Sequence, residues 1–235
     1  MKGMSTRSKG NLKMLMEKHR GPCISLYLPT HWTGTEMQQD RIRLKNQMRQ
    51  AENLLFLANV HAAEVENLLE PILALVADEP FWLHPSEGLA LFRSPDVFDP
   101  YRLPCSFKEL VVVSTHFYLK PLLPFLSNVS KPQHDAAAQY RDYAATERAS
   151  NDVRKVIPAA YDGCIESLFV TSDQEQWGTF DPATRTMHVH RQAKFRDEDL
   201  LDLAATQTLL HGGSVYAVER EHMPDTALIA AVFRS

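Results

Sequence analysis

Four groups of residues in this sequence are of a type and spacing that could do chemistry: Gly212–Gly213–Ser214, the histidines His188 and His190, the cations Arg41, Lys45 and Arg49, and the acids Asp197, Glu198, Asp199 and Asp202. His188 and His190 would share one face of a strand, so a metal could use both. No third ligand is spaced nearby, and Asp197 and Glu198 lie beyond an expected turn, so the pair reads as two surface histidines on a hairpin. His31, His84, His116 and His211 are scattered, and neither G-x-S-x-G nor G-x-x-x-x-G-K-[ST] occurs. Cys23, Cys105 and Cys164 are odd in number and far apart, which fits neither a disulfide framework nor a CxxC zinc site. Gly212 and Gly213 follow a helical pattern and precede a strand, where a capping glycine belongs. The expectation is a protein that is not an enzyme and has no metal or cofactor site.

The cations are the stronger signal. Arg41, Lys45 and Arg49 are four apart, so on a helix they form one stripe bordering its apolar side, with Arg43 pointing elsewhere. Such a row suits a line of phosphates. It also suits a solvated helix face, or partners for the acids of residues 61–110. The acidic group likewise has two readings, a charged helix start or a surface for a partner.

These residues need elements to position them. "GPCISLYLPTH" (Gly21–His31) reads as a short buried strand closed by Pro29. A long helix from about Glu36 to Ala58 carries the cations, with Leu44, Met48, Ala51, Leu55 and Ala58 as its apolar stripe. A second helix, roughly His61 to Asp78, contains Pro71, where a kink or break is expected. "EGLALFRSP" and "KELVVVSTHFYLK" follow as strands, separated by punctuation at Pro95, Pro100 and Pro104. The polar stretch "SNVSKPQHD" (127–135) marks the boundary between two α/β domains, 1–130 and 131–235.

The second domain opens with an alanine-rich helix and then "TERASNDVRKVIPAAYDGCIESLFVTSD". There Ser150 or Asn151 caps a helix, Gly163 ends it, and a strand apolar on both faces follows. A hairpin turns at Asp181–Thr184. The helix in "FRDEDLLDLAATQTLLHGG" stops at Gly212, and "SVYAVER" and "ALIAAVFR" close the domain. The order suggests an α/β/α sandwich.

At 235 residues, 44% hydrophobic and 23% charged, the chain has the composition of a soluble globular protein. A net charge of -4 gives no global basic signature, but residues 1–60 hold ten Lys/Arg against four Asp/Glu. The basic start lacks the apolar core of a secretory signal, and no run reaches a membrane span, so a cytoplasmic location is expected.

The second half resembles the C-terminal, L7Ae-like domain of the archaeal and eukaryotic class-one peptide-release factors and of Pelota. The resemblance rests on Val153 and Val156, Gly163 with "CIESLFVTSD", and the "LLDLAATQTLLHGGSVYAV" unit. The first half resembles bacterial relatives of these factors through "CISLYLPTHWTGTEMQQDRIRLKNQMRQAENLL", "FWLHPSEGLALF" and "LVVVSTHFYLKPLLPFL". Together the resemblances cover roughly residues 20–126 and 140–235. They imply a ribosome-associated, release-factor-like protein acting in stalling, stress or dormancy. Its partners would be the ribosome or ribosomal RNA and a translational GTPase such as elongation factor Tu, with Arg41, Lys45 and Arg49 facing RNA. Members of this family usually carry a middle domain, which in the archaeal and eukaryotic factors holds the Gly-Gly-Gln release loop. Here about a dozen residues separate the halves, too few for a domain, and Gly212–Ser214 is placed as a cap, so peptidyl-tRNA hydrolysis is not expected. The alternatives are an RNA-binding adaptor outside the ribosome, or a hydrolase or nuclease with convergent carboxylates and histidines in a pocket.

Overall fold

A computed structural model describes residues 14–17, 19–31, 34–84, 86–126, 131–192 and 197–234. It has an α/β fold in two compact units, one spanning Lys18–Tyr118 and the other formed, among the described residues, by 14–17 together with the chain from Leu119 onward. The sequence set the boundary within 127–135, whereas the division falls earlier because Leu123 belongs to the core of the second unit. Residues 127–130 lie outside the described residues.

The first unit starts with β1 (Cys23–Pro29), which is buried along nearly its whole length. Helix α1 (Gly34–Leu57) follows, and its close was not foreseen. Asn59 takes the left-handed conformation at φ 58 while Val60 N–H donates to Leu55 O at 3.1 Å. A short polar side chain tolerates this conformation better than most, so asparagine serves where glycine is usual.

Helix α2 (Ala62–Ala77) runs through Pro71 without the break that the sequence offered as one outcome. Proline has no N–H for the carbonyl four residues back, that of Asn67. The guanidinium of Arg93 replaces it, donating to Asn67 O at 2.9 Å, Leu68 O at 3.1 Å and Val97 O at 3.2 Å. A four-residue helix, α3 (Glu79–Trp82), is capped by Asp78, and Trp82 Nε1 donates back to Leu75 O at 2.9 Å.

Strands β2 (Gly88–Arg93), β3 (Phe98–Leu103) and β4 (Leu110–Ser114) complete an antiparallel sheet in the order β3-β2-β1-β4. The sequence reading missed β3 because it took Pro100 as punctuation. On an edge strand the missing donor can face away from the sheet, so proline is tolerated there. One face of the sheet, with Ile24, Leu26, Leu28, Leu89 and Leu91, packs on α1 and α2. On the other, Phe92 meets Tyr27, Tyr101 and Phe117 edge-on at centroid distances of 5.8, 5.9 and 5.3 Å.

The second unit opens with a 3-10 turn (Lys120–Leu122) and the helices α4 (Leu123–Leu126) and α5 (Gln133–Tyr143). After β5 (Ala149–Ser150), α6 (Val153–Tyr161) is capped by Asp152, not by Ser150 or Asn151; its carboxylate accepts from Arg154 N at 2.9 Å. Gly163 ends it at φ +69, as the sequence suggested. Strand β6 (Ile165–Thr171) is buried on both faces. The hairpin β7 (Trp177–Asp181) to β8 (Thr186–Val189) turns through residues 182–185, with Asp181 accepting from Ala183 N and Arg185 at φ 58.

A short β9 (Glu198–Asp199) pairs with β7, and α7 (Leu200–Leu210) starts directly after it. Asp199 thus ends the strand and caps the helix at once, and Asp202 stands in the first turn, so the helix-start reading holds for these two. Strands β10 (Ser214–Val218) and β11 (Ile229–Phe233) finish a sheet in the order β10-β6-β11-β5, with β10 parallel to β6. Leu168, Val170, Val215 and Ala231 face α6 and α7, whereas Phe169, Tyr216, Ala230 and Val232 face α5. The result is a three-layer α/β/α arrangement. Among the described residues no helix is long and apolar enough to cross a membrane.

Both glycines after α7 are structural. Gly212 has φ +74 and Gly213 N–H closes the helix on Thr208 O at 2.8 Å. A Cβ on Gly212 would touch nothing within 4 Å, so only backbone strain opposes Gly212→Ala. We expect a loss of about 1 kcal/mol in urea titration, the usual penalty of a left-handed alanine. A Cβ on Gly213 would lie 2.5 Å from Thr208 Cγ2 and 2.8 Å from Ile165 O, so this neighbour tolerates substitution less well.

Candidate nucleic-acid interface

The buried face of α1 runs through Asp40, Leu44, Gln47, Ala51 and Leu55. Met48, expected in that stripe, is only partly buried, and Gln47 takes its place by donating Nε2–H to Tyr27 O at 2.8 Å. The amide is only half satisfied, since its buried Oε1 has no hydrogen-bond partner among the described residues, and a polar residue in a hydrophobic stripe gives no advance sign of its partner. The outward face carries Ile42, Lys45, Asn46 and Arg49, all exposed.

The three cations of the stripe do not share one situation. Lys45 and Arg49 are exposed, and among the described residues neither makes an ion pair. Arg41 is half-buried, and its Nε donates to Val76 O at 2.9 Å in the last turn of α2. A cation there satisfies an orphan carbonyl at the negative end of a helix. Arg43 does point elsewhere, to Asp40 at 2.8 Å and Glu109 at 3.4 Å.

Beside the helix start lies a small cleft lined by Thr30, His31, His84, Ser86 and Arg102. Asp40, with 1% of its side chain exposed, accepts from His31 N at 2.7 Å, faces His31 Nδ1 at 2.9 Å and accepts from Arg43. A carboxylate on Nδ1 fixes the ring and leaves Nε2 as its free nitrogen. Sequence reasoning passed over this pair because its members meet only when β1 and α1 come together.

Neither the sequence nor its parts match any known family model, and no curated protein matches. The site is therefore judged on its own geometry.

The remaining sequence candidates separate. His188 is exposed, whereas His190 Nδ1 lies 2.8 Å from the buried carboxylate of Asp197, so the two are not presented together. Among the described residues no group of three or more His, Cys, Asp or Glu could hold a metal ion. Burial, with Asp96 adding, pushes the Cys23 thiol up to about 12, which keeps it from acting as a thiolate nucleophile.

Half of the acidic patch is interior. Asp199 is 3% exposed and Asp202 is fully buried. Asp199 caps α7 through Leu201 N at 3.1 Å and pairs with Lys120 at 3.0 Å. Asp199 and Asp202 therefore cannot offer their carboxylates to a second protein, whereas Asp197 and Glu198 are only half-buried as whole residues. The signal available beforehand was Asp202 itself, an acid inside the apolar stripe of its helix.

Proposed function

We propose that the protein is a ribosome-associated, release-factor-like RNA-binding protein acting without peptide-release chemistry in stalling, stress or dormancy. The observation that supports this reading is the outward face of α1, where Lys45 and Arg49 stand one turn apart in solvent. Exposed cations in that register can each displace a counterion from a phosphate backbone, giving salt-sensitive affinity. Arg41 contributes less, because its side chain is committed to α2. The resemblance supplies the ribosome, the cytoplasm and a translational GTPase such as elongation factor Tu as the setting.

The test is co-sedimentation of the full chain with ribosomes over a salt series. Lys45→Gln/Arg49→Gln keeps helix propensity close to the original and removes two charges. Binding should weaken, and the slope of log affinity against log salt should become shallower by about 1.5. Arg41→Gln should mainly lower stability. An unchanged slope in the double variant would sink the RNA-facing role of α1. Retention of that slope with free RNA, but no ribosome binding, would favour the adaptor outside the ribosome. The hydrolase or nuclease alternative draws on the His31–Asp40 pair, and RNA cleavage lost in His31→Ala would favour it.

A further inference from the structure

The second unit begins on a buried charge cluster. Lys120 and Asp199 are each 3% exposed, and Asp202 has no exposed surface. Lys120 Nζ lies 3.0 Å from Asp199 and also donates to Gln174 O. Both oxygens of Asp202 accept the Leu119 amide, at 3.0 and 3.2 Å. Asp199 also accepts from Gln176 N at 3.0 Å. One cluster thus ties together residues 119–120, the segment before β7, and the start of α7.

Its charges do not balance. Two carboxylates face one ammonium, so the fully ionised cluster leaves a net negative charge inside the protein, which the interior strongly disfavours. We propose that the cluster is a proton-operated latch: with one proton on Asp202 it holds Leu119–Leu122 against α7, and on losing that proton it frees this segment. The groups facing Asp202 are Asp199 from its own helix cap, Lys120 from the 3-10 turn, and the amides of Leu119 and Lys120. Lys120 is also faced by Asp173 after β6. Next to Asp199 stands Glu198, faced in turn by Asp197 and by Tyr161 of α6.

Burial, and then the charge of Asp199, hold the Asp202 carboxyl well above the usual carboxylate range, while the amides and Lys120 pull it down less. A raised folded value means that the folded chain binds the proton more tightly than the unfolded chain does. The stabilisation is therefore complete below the ordinary aspartate value of about 4, and it is lost as pH rises through the folded value. This is opposite in sense to carboxylates such as Asp162 and Glu166, whose ion pairs hold them below their usual range and whose contribution is lost in acid.

Hydrogen exchange at the Leu119 and Lys120 amides of the full chain tests the latch, with rates corrected for their intrinsic pH dependence. Between about pH 5.5 and about pH 8.5 protection at Leu119 should fall by roughly tenfold or more. Asp202→Asn retains an acceptor that cannot ionise, so its protection should stay level across the range. Glu198→Gln should leave the fall in place. Level protection in the unaltered protein, or an undiminished fall in Asp202→Asn, would overturn the proposal. Should Asp202→Asn fail to fold, the side-chain carboxyl resonance of Asp202 in the unaltered protein decides. A midpoint above about 6 supports the latch, and anything lower excludes it at neutral pH.

Discussion

Replacing Lys120 by Met lowers the unfolding free energy of the unit beginning at Leu119 by about 3–5 kcal/mol, as expected when one partner of a buried ion pair is removed. The ammonium has three jobs in one place: it pairs with Asp199 at 3.0 Å, donates to Gln174 O and stands beside Asp202. Without it, Asp199 keeps its bonds to Leu201 N and Gln176 N but loses its counter-charge. A midpoint shift of about 10 °C or more should appear in thermal unfolding. The double variant Lys120→Met/Asp199→Asn should recover much of the loss, since an uncharged cap leaves no lone charge behind. A loss below about 1 kcal/mol for the single variant would mean that the pair behaves as an exposed one.

Truncating Phe92 to Ala should cost the first unit about 3–5 kcal/mol, the range for emptying a fully buried aromatic site. Phe92 is 0% exposed and is central to the layer on the sheet face away from α1 and α2. Its three edge-on neighbours cannot all collapse into the space, because Tyr27 is also pinned by its hydroxyl on Tyr118 O at 2.6 Å. Phe92→Leu should cost clearly less. Equal losses in urea titration for the two substitutions would show that refilling the volume recovers nothing, so that the shape of the ring decides the cost.

Periodicity revealed much of this fold. The continuous apolar runs of β1 and β6, the long α1 and the glycine-terminated α6 and α7 all stand where local pattern placed them. The misreadings share a physical cause: a local rule was met by a distant partner. Pro71 kept its helix because Arg93 came from the sheet, and Pro100 kept its strand because that strand lies at an edge. The candidate site was legible only in part. Spacing identified the exposed Lys45 and Arg49, but nothing local told Arg41 apart from them. His31 with Asp40, and Lys120 with Asp202, are brought together by tertiary structure alone.

The guanidinium that bridges Pro71 also bears on the order in which the first unit assembles. Arg93 reaches the chain well after residues 62–77, so the carbonyl of Asn67, which Pro71 cannot serve, lacks this donor until β2 is laid down. Before that point the segment is two short helical stretches meeting at a proline, each below the length at which an isolated helix holds in water. Helix α2 cannot be an early, autonomous nucleus. It becomes a single rod only as the sheet closes over it, so the continuity of this helix and the pairing of β1 with β2 are gained in one cooperative step.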